Sequence, residues 1–297
     1  MKKRDANTPR VTALFFVVWN VARLLPLAGA RRFLATLLRW RAERLTNQRA
    51  IRRNLSKAFP ELTEEETRQR GRNIAANFGR LAAELIHIED FRSGRSQIRC
   101  VGGEFLEKVR TGPGIFIGPH CGNWELAPLF LGENGIDLTI IHSSLGNPLI
   151  DRELLAVRQK TGATYVEKAE ALKAVFGALA KGGSTAFLVD QRVDSGVEVS
   201  FFGHRVTVTN LPARLAIRFG CPIVPMETRW EGEDVVVVFK QPIWARSDSG
   251  APSEIELSQQ MMSAIEATIR DNPDNWFCNT NRWPKKAKKS SAKGDGS

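Results

Sequence analysis

One tyrosine and four histidines stand among the 297 residues, so few side chains titrate near neutral pH. The seven tryptophans are scattered rather than set along a basic strand, and no nucleic-acid-binding signature occurs, which argues against a DNA or RNA partner. The four cysteines, Cys100, Cys121, Cys221 and Cys278, lie far apart and form no C-x-x-C pair, so neither a zinc site nor a disulfide framework is expected, and a reducing compartment fits. An uninterrupted apolar run long enough to span a bilayer is missing as well. The most apolar stretch, residues 11 to 30, is broken by Asn20, Arg23 and Pro26, whereas a spanning helix needs about 20 mostly apolar residues.

Positive charge is abundant. Lys and Arg number 43 against 32 Asp and Glu, a formal charge of +11 that favours a polyanionic partner: nucleic acid, an anionic bilayer or an acidic carrier protein. Basic residues stand on both sides of the apolar stretch: Lys2, Lys3, Arg4 and Arg10 before it, and Arg31, Arg32, Arg39, Arg41 and Arg44 after it. A spanning helix keeps such residues mainly on one side, and a helix lying in the membrane interface satisfies both flanks. The interfacial helix is therefore preferred over a single span. A secretory signal and an ordinary buried helix are the remaining readings. Residues 285–297, rich in Lys, Ser and Gly, read as a disordered basic tail. The expected division is a membrane-associated helical segment over 1–46, a main domain over 47–284 and the tail.

Residues 31 to 92 read as helical. Thr63-Glu-Glu-Glu66 is a capping box opening a long helix with Ile74, Phe78, Leu81 and Leu85 along one face. After Gly102 short apolar runs at 114–118, 138–141, 185–189, 222–226 and 235–239 alternate with helical segments, and Ser253-Glu-Ile-Glu256 caps a last helix running to about Asp271. The pattern predicts an α/β fold: a mixed, largely parallel sheet covered by helices, preceded by the membrane-associated helical segment.

In such sheets reactive groups gather beyond the carboxyl ends of the strands. Two segments fit, Gly118-Pro-His-Cys-Gly-Asn-Trp-Glu125 and Asp190-Gln191-Arg192. Histidine titrates near neutral pH and suits a base that takes a hydroxyl proton, and a carboxylate on its other ring nitrogen would fix the tautomer. Glu125 can serve His120 so if His120 lies in a loop and Glu125 in the first turn of the next helix. Asn123 is a candidate donor to an oxyanion, and Cys121 is a rival nucleophile.

Five segments occur in order: Asn54-Leu-Ser-Lys-Ala-Phe-Pro60, His120-Cys-Gly-Asn-Trp-Glu125, Asp190-Gln191, Val199-Ser-Phe-Phe-Gly203, and Asn275-Trp276 with Arg282-Trp283. Together they resemble the lipid A biosynthesis (lauroyl/myristoyl) acyltransferase family, within the lysophospholipid acyltransferase group marked by His-x4-Asp/Glu. The resemblance implies an O-acyltransferase on the cytoplasmic face of a bacterial inner membrane. It implies an acyl thioester donor, usually on acyl carrier protein, and a hydroxyl of a lipid A precursor as acceptor; no metal or redox cofactor is implied. It also assigns His120 and Glu125 as the catalytic dyad and makes Arg158, Asp190, Asn123 and Gln191 substrate-binding candidates. Two stretches depart from the family pattern. Trp276-Phe-Cys-Asn-Thr-Asn-Arg-Trp283 lacks a His and an Arg often found there, and His204-Arg-Val-Thr-Val-Thr-Asn210 replaces a small, Thr-Pro-rich form. Another hydroxylated glycolipid or phospholipid as acceptor, and a non-catalytic lipid-binding scaffold, are the alternatives.

Overall fold

The computed structural model describes residues 9–45, 47–245 and 252–283. The basic residues Lys2, Lys3 and Arg4 and the tail 285–297 lie outside the described residues. Five helices come first: α1 (Pro9–Leu24), α2 (Leu27–Arg41), α3 (Gln48–Ala58), α4 (Glu64–Ile86) and α5 (Ile88–Arg92). Strands and helices then alternate: β1 (Ile98–Val101), α6 (Glu107–Arg110), β2 (Gly114–Gly118), α7 (Ala127–Glu133), β3 (Leu138–His142), α8 (Pro148–Gln159), β4 (Thr164–Glu167), α9 (Ala171–Ala180) and β5 (Ser184–Leu188). A hairpin of β6 (Val197–Phe201) and β7 (His204–Val208) precedes α10 (Leu211–Phe219), β8 (Ile223–Glu231), β9 (Asp234–Phe239) and α11 (Glu254–Asp271).

The main sheet runs β1-β9-β8-β2-β5-β3-β4. Every neighbouring pair is parallel except β8 with β9, so the sheet is mixed and largely parallel, with helices on its faces. β2 is buried along all of its length, which is why Gly114-Ile-Phe-Ile-Gly118 reads as a continuous apolar run rather than an alternating one. The five expected strands are present, β8 running five residues further than the apolar stretch that announced it. Three elements escape a periodicity reading. β1 and β4 are four-residue edge strands, and the β6–β7 hairpin forms a separate two-stranded sheet.

Local chemistry explains the long helices. Thr63 caps α4 by accepting from the Glu66 N–H at 3.2 Å while Glu66 Oε2 accepts from the Thr63 N–H at 2.8 Å. Ser253 and Glu256 repeat this box at α11. Ile74, Leu81 and Leu85 face the core as expected, but Phe78 is 43% exposed, resting edge-on against Phe277. Beside Phe78, Gly79 lets α2 cross against α4: a Cβ there would sit 2.3 Å from the Leu34 carbonyl oxygen. Gly79→Ala is therefore expected to lower stability by about 3 kcal/mol by forcing the helices apart, read as a fall in the urea midpoint.

The joint of α2, α4 and β8 hides a charged hub. Glu84 is fully buried, and its carboxylate receives Arg31 Nη2 at 2.8 Å, Arg80 Nε at 3.2 Å, Asn123 Nδ2 at 2.7 Å and Trp230 Nε1 at 2.9 Å. Arg31, counted from sequence among the membrane-facing cations, is thus a core residue that also pairs with Glu233. Arg32, Arg39, Arg41 and Arg44 are exposed.

Candidate active site

The register of two strands builds the site. β2 and β5 lie side by side in parallel with Gly118 opposite Leu188, so the residues two positions on, His120 and Asp190, leave the sheet together at its carboxyl edge. His120 Nδ1 and Asp190 Oδ1 are 2.6 Å apart. With its proton on Nδ1, the ring donates to Asp190 and keeps Nε2 as a free base. Gln191 Nε2 stands 3.3 Å from that nitrogen. The Trp124 indole packs edge-on against the ring at 5.1 Å between centroids.

Burial acts most strongly on His120 and pushes its pKa down. The charge of Asp190, the hydrogen bond between them and the charge of Glu125 push it up, and the net lies above the ordinary histidine value. Asp190 is the mirror case. Burial raises it, while His120 and hydrogen bonds from Trp276 and the His120 backbone hold it below the usual aspartate range. The pair is thus set for an ionised carboxylate beside an imidazole that binds a proton readily.

Glu125 does not hold the His120 ring, the role expected of it. It lies in the turn before α7 rather than in the first turn of the helix, and both its oxygens are taken by Arg158 of α8, Nε at 2.9 Å and Nη2 in a short contact. This fork-on-carboxylate geometry is buried at Glu125 and partly open at Arg158, whose Nη1 has no partner among the described residues. Arg152, the other basic candidate on α8, is exposed.

Asn123 is fully buried, and one N–H of its amide is committed to Glu84. Cys121 is buried too. Desolvation first, then the nearby carboxylates Asp190 and Glu227, raise its thiol well above the ordinary range, which removes the thiolate a nucleophile needs.

The loop is held from the far end of the chain. Cys121 bridges Trp276 in antiparallel fashion, the Phe277 N–H donates to the His120 carbonyl at 2.8 Å, and the Gly122 N–H donates to the Asn275 carbonyl at 3.2 Å. Gly122 has φ of 57°, and a Cβ on it would lie 2.0 Å from the Thr228 carbonyl oxygen, so the loop reaches β8 only with glycine there. Asn54 of α3 clamps the same terminal segment: its amide donates to the carbonyls of Cys278 at 2.9 Å and Thr280 at 2.6 Å and accepts from the Arg282 N–H at 3.1 Å. Asn73 and Asn77 of α4 bind Asp274 and Asn275. Asn54 and Trp276 belong to segments singled out in the sequence, but nothing there gave either a part in shaping the site.

Among the described residues no group of His, Cys, Asp and Glu is arranged to hold a metal ion. The chain is 23% identical over 274 residues to a phosphatidylinositol mannoside acyltransferase of Mycolicibacterium smegmatis, covering 89% of this chain and 88% of that one. It is 24% identical over 289 residues to lipid A biosynthesis acyltransferase 2 of Shigella flexneri, covering 93% and 90%. A superposition on the crystal structure of the 1-acyl-sn-glycerophosphate acyltransferase PlsC of Thermotoga maritima gives a TM-score of 0.40 at 15% identity, over 86% of this chain and 100% of that one. Residues 2–285 match the bacterial lipid A biosynthesis acyltransferases, and the chain belongs to that family.

Proposed function

We propose that this acyltransferase moves a fatty acyl chain from an acyl thioester, carried by acyl carrier protein, to a hydroxyl of a lipid A precursor at the cytoplasmic face of a bacterial inner membrane. The observation that carries the reading is the partly exposed His120 held through Nδ1 by the buried Asp190. His120 Nε2 takes the acceptor's hydroxyl proton. The oxygen attacks the thioester carbonyl, the carbon–sulfur bond breaks, and the proton passes from Nε2 to the departing sulfur. Asp190 orients the ring and stabilises the imidazolium between those transfers. Glu125 acts through Arg158, whose guanidinium it holds and which supplies positive charge for the developing oxyanion. Gln191 covers Nε2 until the hydroxyl displaces its amide.

This scheme fixes a pH profile. Only neutral His120 accepts a proton, so kcat/KM rises with pH through a midpoint above the ordinary histidine value. In Asp190→Asn burial loses its main opponent. The acid limb is expected to move to lower pH while the maximum falls by about a hundredfold or more. An acid limb that stays in place removes Asp190 from the scheme.

Membrane contact is part of the same proposal. No helix among the described residues is long and apolar enough to cross a bilayer. On α1, Leu14, Val17, Val21 and Leu24 fall on one face and are 41 to 86% exposed, whereas Trp19 and Ala22 are buried. Leu145 and Leu149, also exposed, lie close by, where Asn147 Nδ2 donates to Thr12 Oγ1 at 2.7 Å. At the end of α2, Trp40 is 68% exposed between Arg41 and Arg44, the amphipathic pairing favoured at a headgroup layer. Leu14→Glu with Val17→Glu is expected to reduce sedimentation with anionic vesicles at least tenfold and leave the melting temperature unchanged. Undiminished binding places the contact elsewhere.

The acceptor is tested by mass spectrometry of lipid fractions from cells lacking the protein and cells complemented with the natural chain or His120→Ala. Loss of one acyl group from lipid A, restored by the natural chain alone, supports the assignment and reads the chain length. The similarity to the mycobacterial enzyme favours a second acceptor, a mannosylated phosphoinositide. Unchanged lipid A beside a changed glycolipid of that kind selects it.

A further inference from the structure

Asp190 has a second oxygen, and it is not free. Trp276 Nε1 donates to Oδ2 at 2.9 Å, both residues being buried, while Oδ1 serves His120. A carboxylate held at one oxygen can swing about its Cβ–Cγ bond, and a donor on the second oxygen fixes its plane. Indole offers one donor and no acceptor, so it favours the ionised carboxylate.

The ring making this bond is itself fixed on several sides. The Phe202 ring stacks on Trp276 at 6.0 Å and 15°, and the rings of Phe201 and Trp283 meet it edge-on. Phe202 sits at the β6–β7 turn with φ of 50°, the one non-glycine residue in the left-handed region among the described residues. Such a conformation is unfavourable for a bulky side chain and persists where surrounding contacts hold it. Here the holding contacts are the stack on Trp276, the Arg270 guanidinium 4.5 Å over the Phe202 ring, and Glu266 accepting from the Phe202 N–H. The backbone beside Trp276 is joined to the histidine loop through the Cys121 bridge and the Phe277-to-His120 bond, so indole, carboxylate and imidazole form one closed frame.

We infer that Trp276 is a positioning residue that sets the Asp190 carboxylate toward His120, with the hairpin tip at Phe202 serving as its backing. The kinetic part of this inference rests on His120 and Asp190 being the proton-transfer pair. The hydrogen bonds themselves can be read whatever the chain transfers.

The test is a proton–nitrogen NMR spectrum of the full chain in micelles with nitrogen-15-labelled tryptophan, the Trp276 indole being assigned from its contacts with the Phe202 ring. Its N–H is expected downfield, as is that of Trp230, which donates to the buried Glu84, and slow to exchange with solvent; Asp190→Asn is expected to move the Trp276 signal upfield and leave the Trp230 signal in place. An indole signal unmoved in that variant overturns the inference even if acyl transfer is confirmed. In a folded Trp276→Phe, kcat is expected to fall about tenfold to a hundredfold with KM within about twofold, the size of a lost hydrogen bond to a charged group. The same change made in Asp190→Asn is expected to cost nothing further. Equal losses in both backgrounds mean that Trp276 only fills space, and the positioning role falls. Should Trp276→Phe not fold, the indole signal in Asp190→Asn decides alone.

Discussion

Acyl transfer by His120→Ala is expected to fall by about 10³ to 10⁴ in kcat, the upper part of the range for loss of a general base, with the fold intact. The side chain lies in a loop and is 19% exposed, and the backbone carbonyl that accepts from Phe277 survives the substitution. Stopped-flow or radiolabel transfer assays on purified protein measure this directly, with circular dichroism as the folding control. The comparison that separates the two carboxylates is Glu125→Gln. In the geometry described, Asp190 sets the imidazole while Glu125 grips Arg158, so Glu125→Gln should lower kcat and move the acid limb to lower pH by less than Asp190→Asn does. A full-length His120→Ala protein turning over at the natural rate would sink the mechanism.

The second large effect concerns stability. Glu84→Ala is expected to cost about 3 to 5 kcal/mol, because it removes the buried partner of Arg31, whose side chain is 9% exposed, and leaves it only the exposed Glu233. It also deprives the Trp230 indole and the Asn123 amide of their acceptor. Urea unfolding should show the loss as a lower midpoint at unchanged slope. Glu84→Gln, which keeps an acceptor and gives up the charge, should fall between. A loss under about 1 kcal/mol would mean that the burial cost of the ions nearly cancels their attraction. Asn123 connects this hub to the site. It precedes Trp124, which packs on His120, and Glu125, which binds Arg158, so a weakened hub also loosens the loop.

The His120–Asp190 pair adds a pH dependence to folding. His120 has its pKa raised in the folded state, so its contribution is present at low pH and lost as pH rises through that value. Asp190 has its pKa lowered, so its contribution is present above the ordinary aspartate range and lost as pH falls through the folded value. The pair therefore helps most in the window between the two, on the acid side of neutrality.

Much of the sheet could be read from sequence because buried parallel strands are continuous apolar runs between glycines and prolines, as Gly114 to Gly118 shows. The edge strands β1 and β4 carry no such run, and only the hydrogen bonds they make with β9 and β3 define them. The site was legible in its parts. His120, Glu125, Arg158, Asp190 and Gln191 all lie in or beside it, but their pairing was not visible. Five residues separate His120 from Glu125 and seventy separate it from Asp190, and nearness along the chain favoured the wrong carboxylate as the ring's partner. The deciding fact is the register of β2 on β5, a long-range quantity that no local pattern encodes. The Glu84 carboxylate that takes one N–H of Asn123 is likewise a long-range partner that no local pattern announces.

The union of the loop at 120–122 with the segment at 275–278 has a consequence for biosynthesis. The histidine leaves the ribosome more than 150 residues before the strand-like stretch that braces its backbone, and Asn54 waits longer still for the carbonyls of Cys278 and Thr280. A nascent chain can complete β2, β5 and even β8 without possessing a set catalytic loop. Competence therefore arrives only once the segment at 275–278 has emerged, and a chain released before it yields sheet without chemistry.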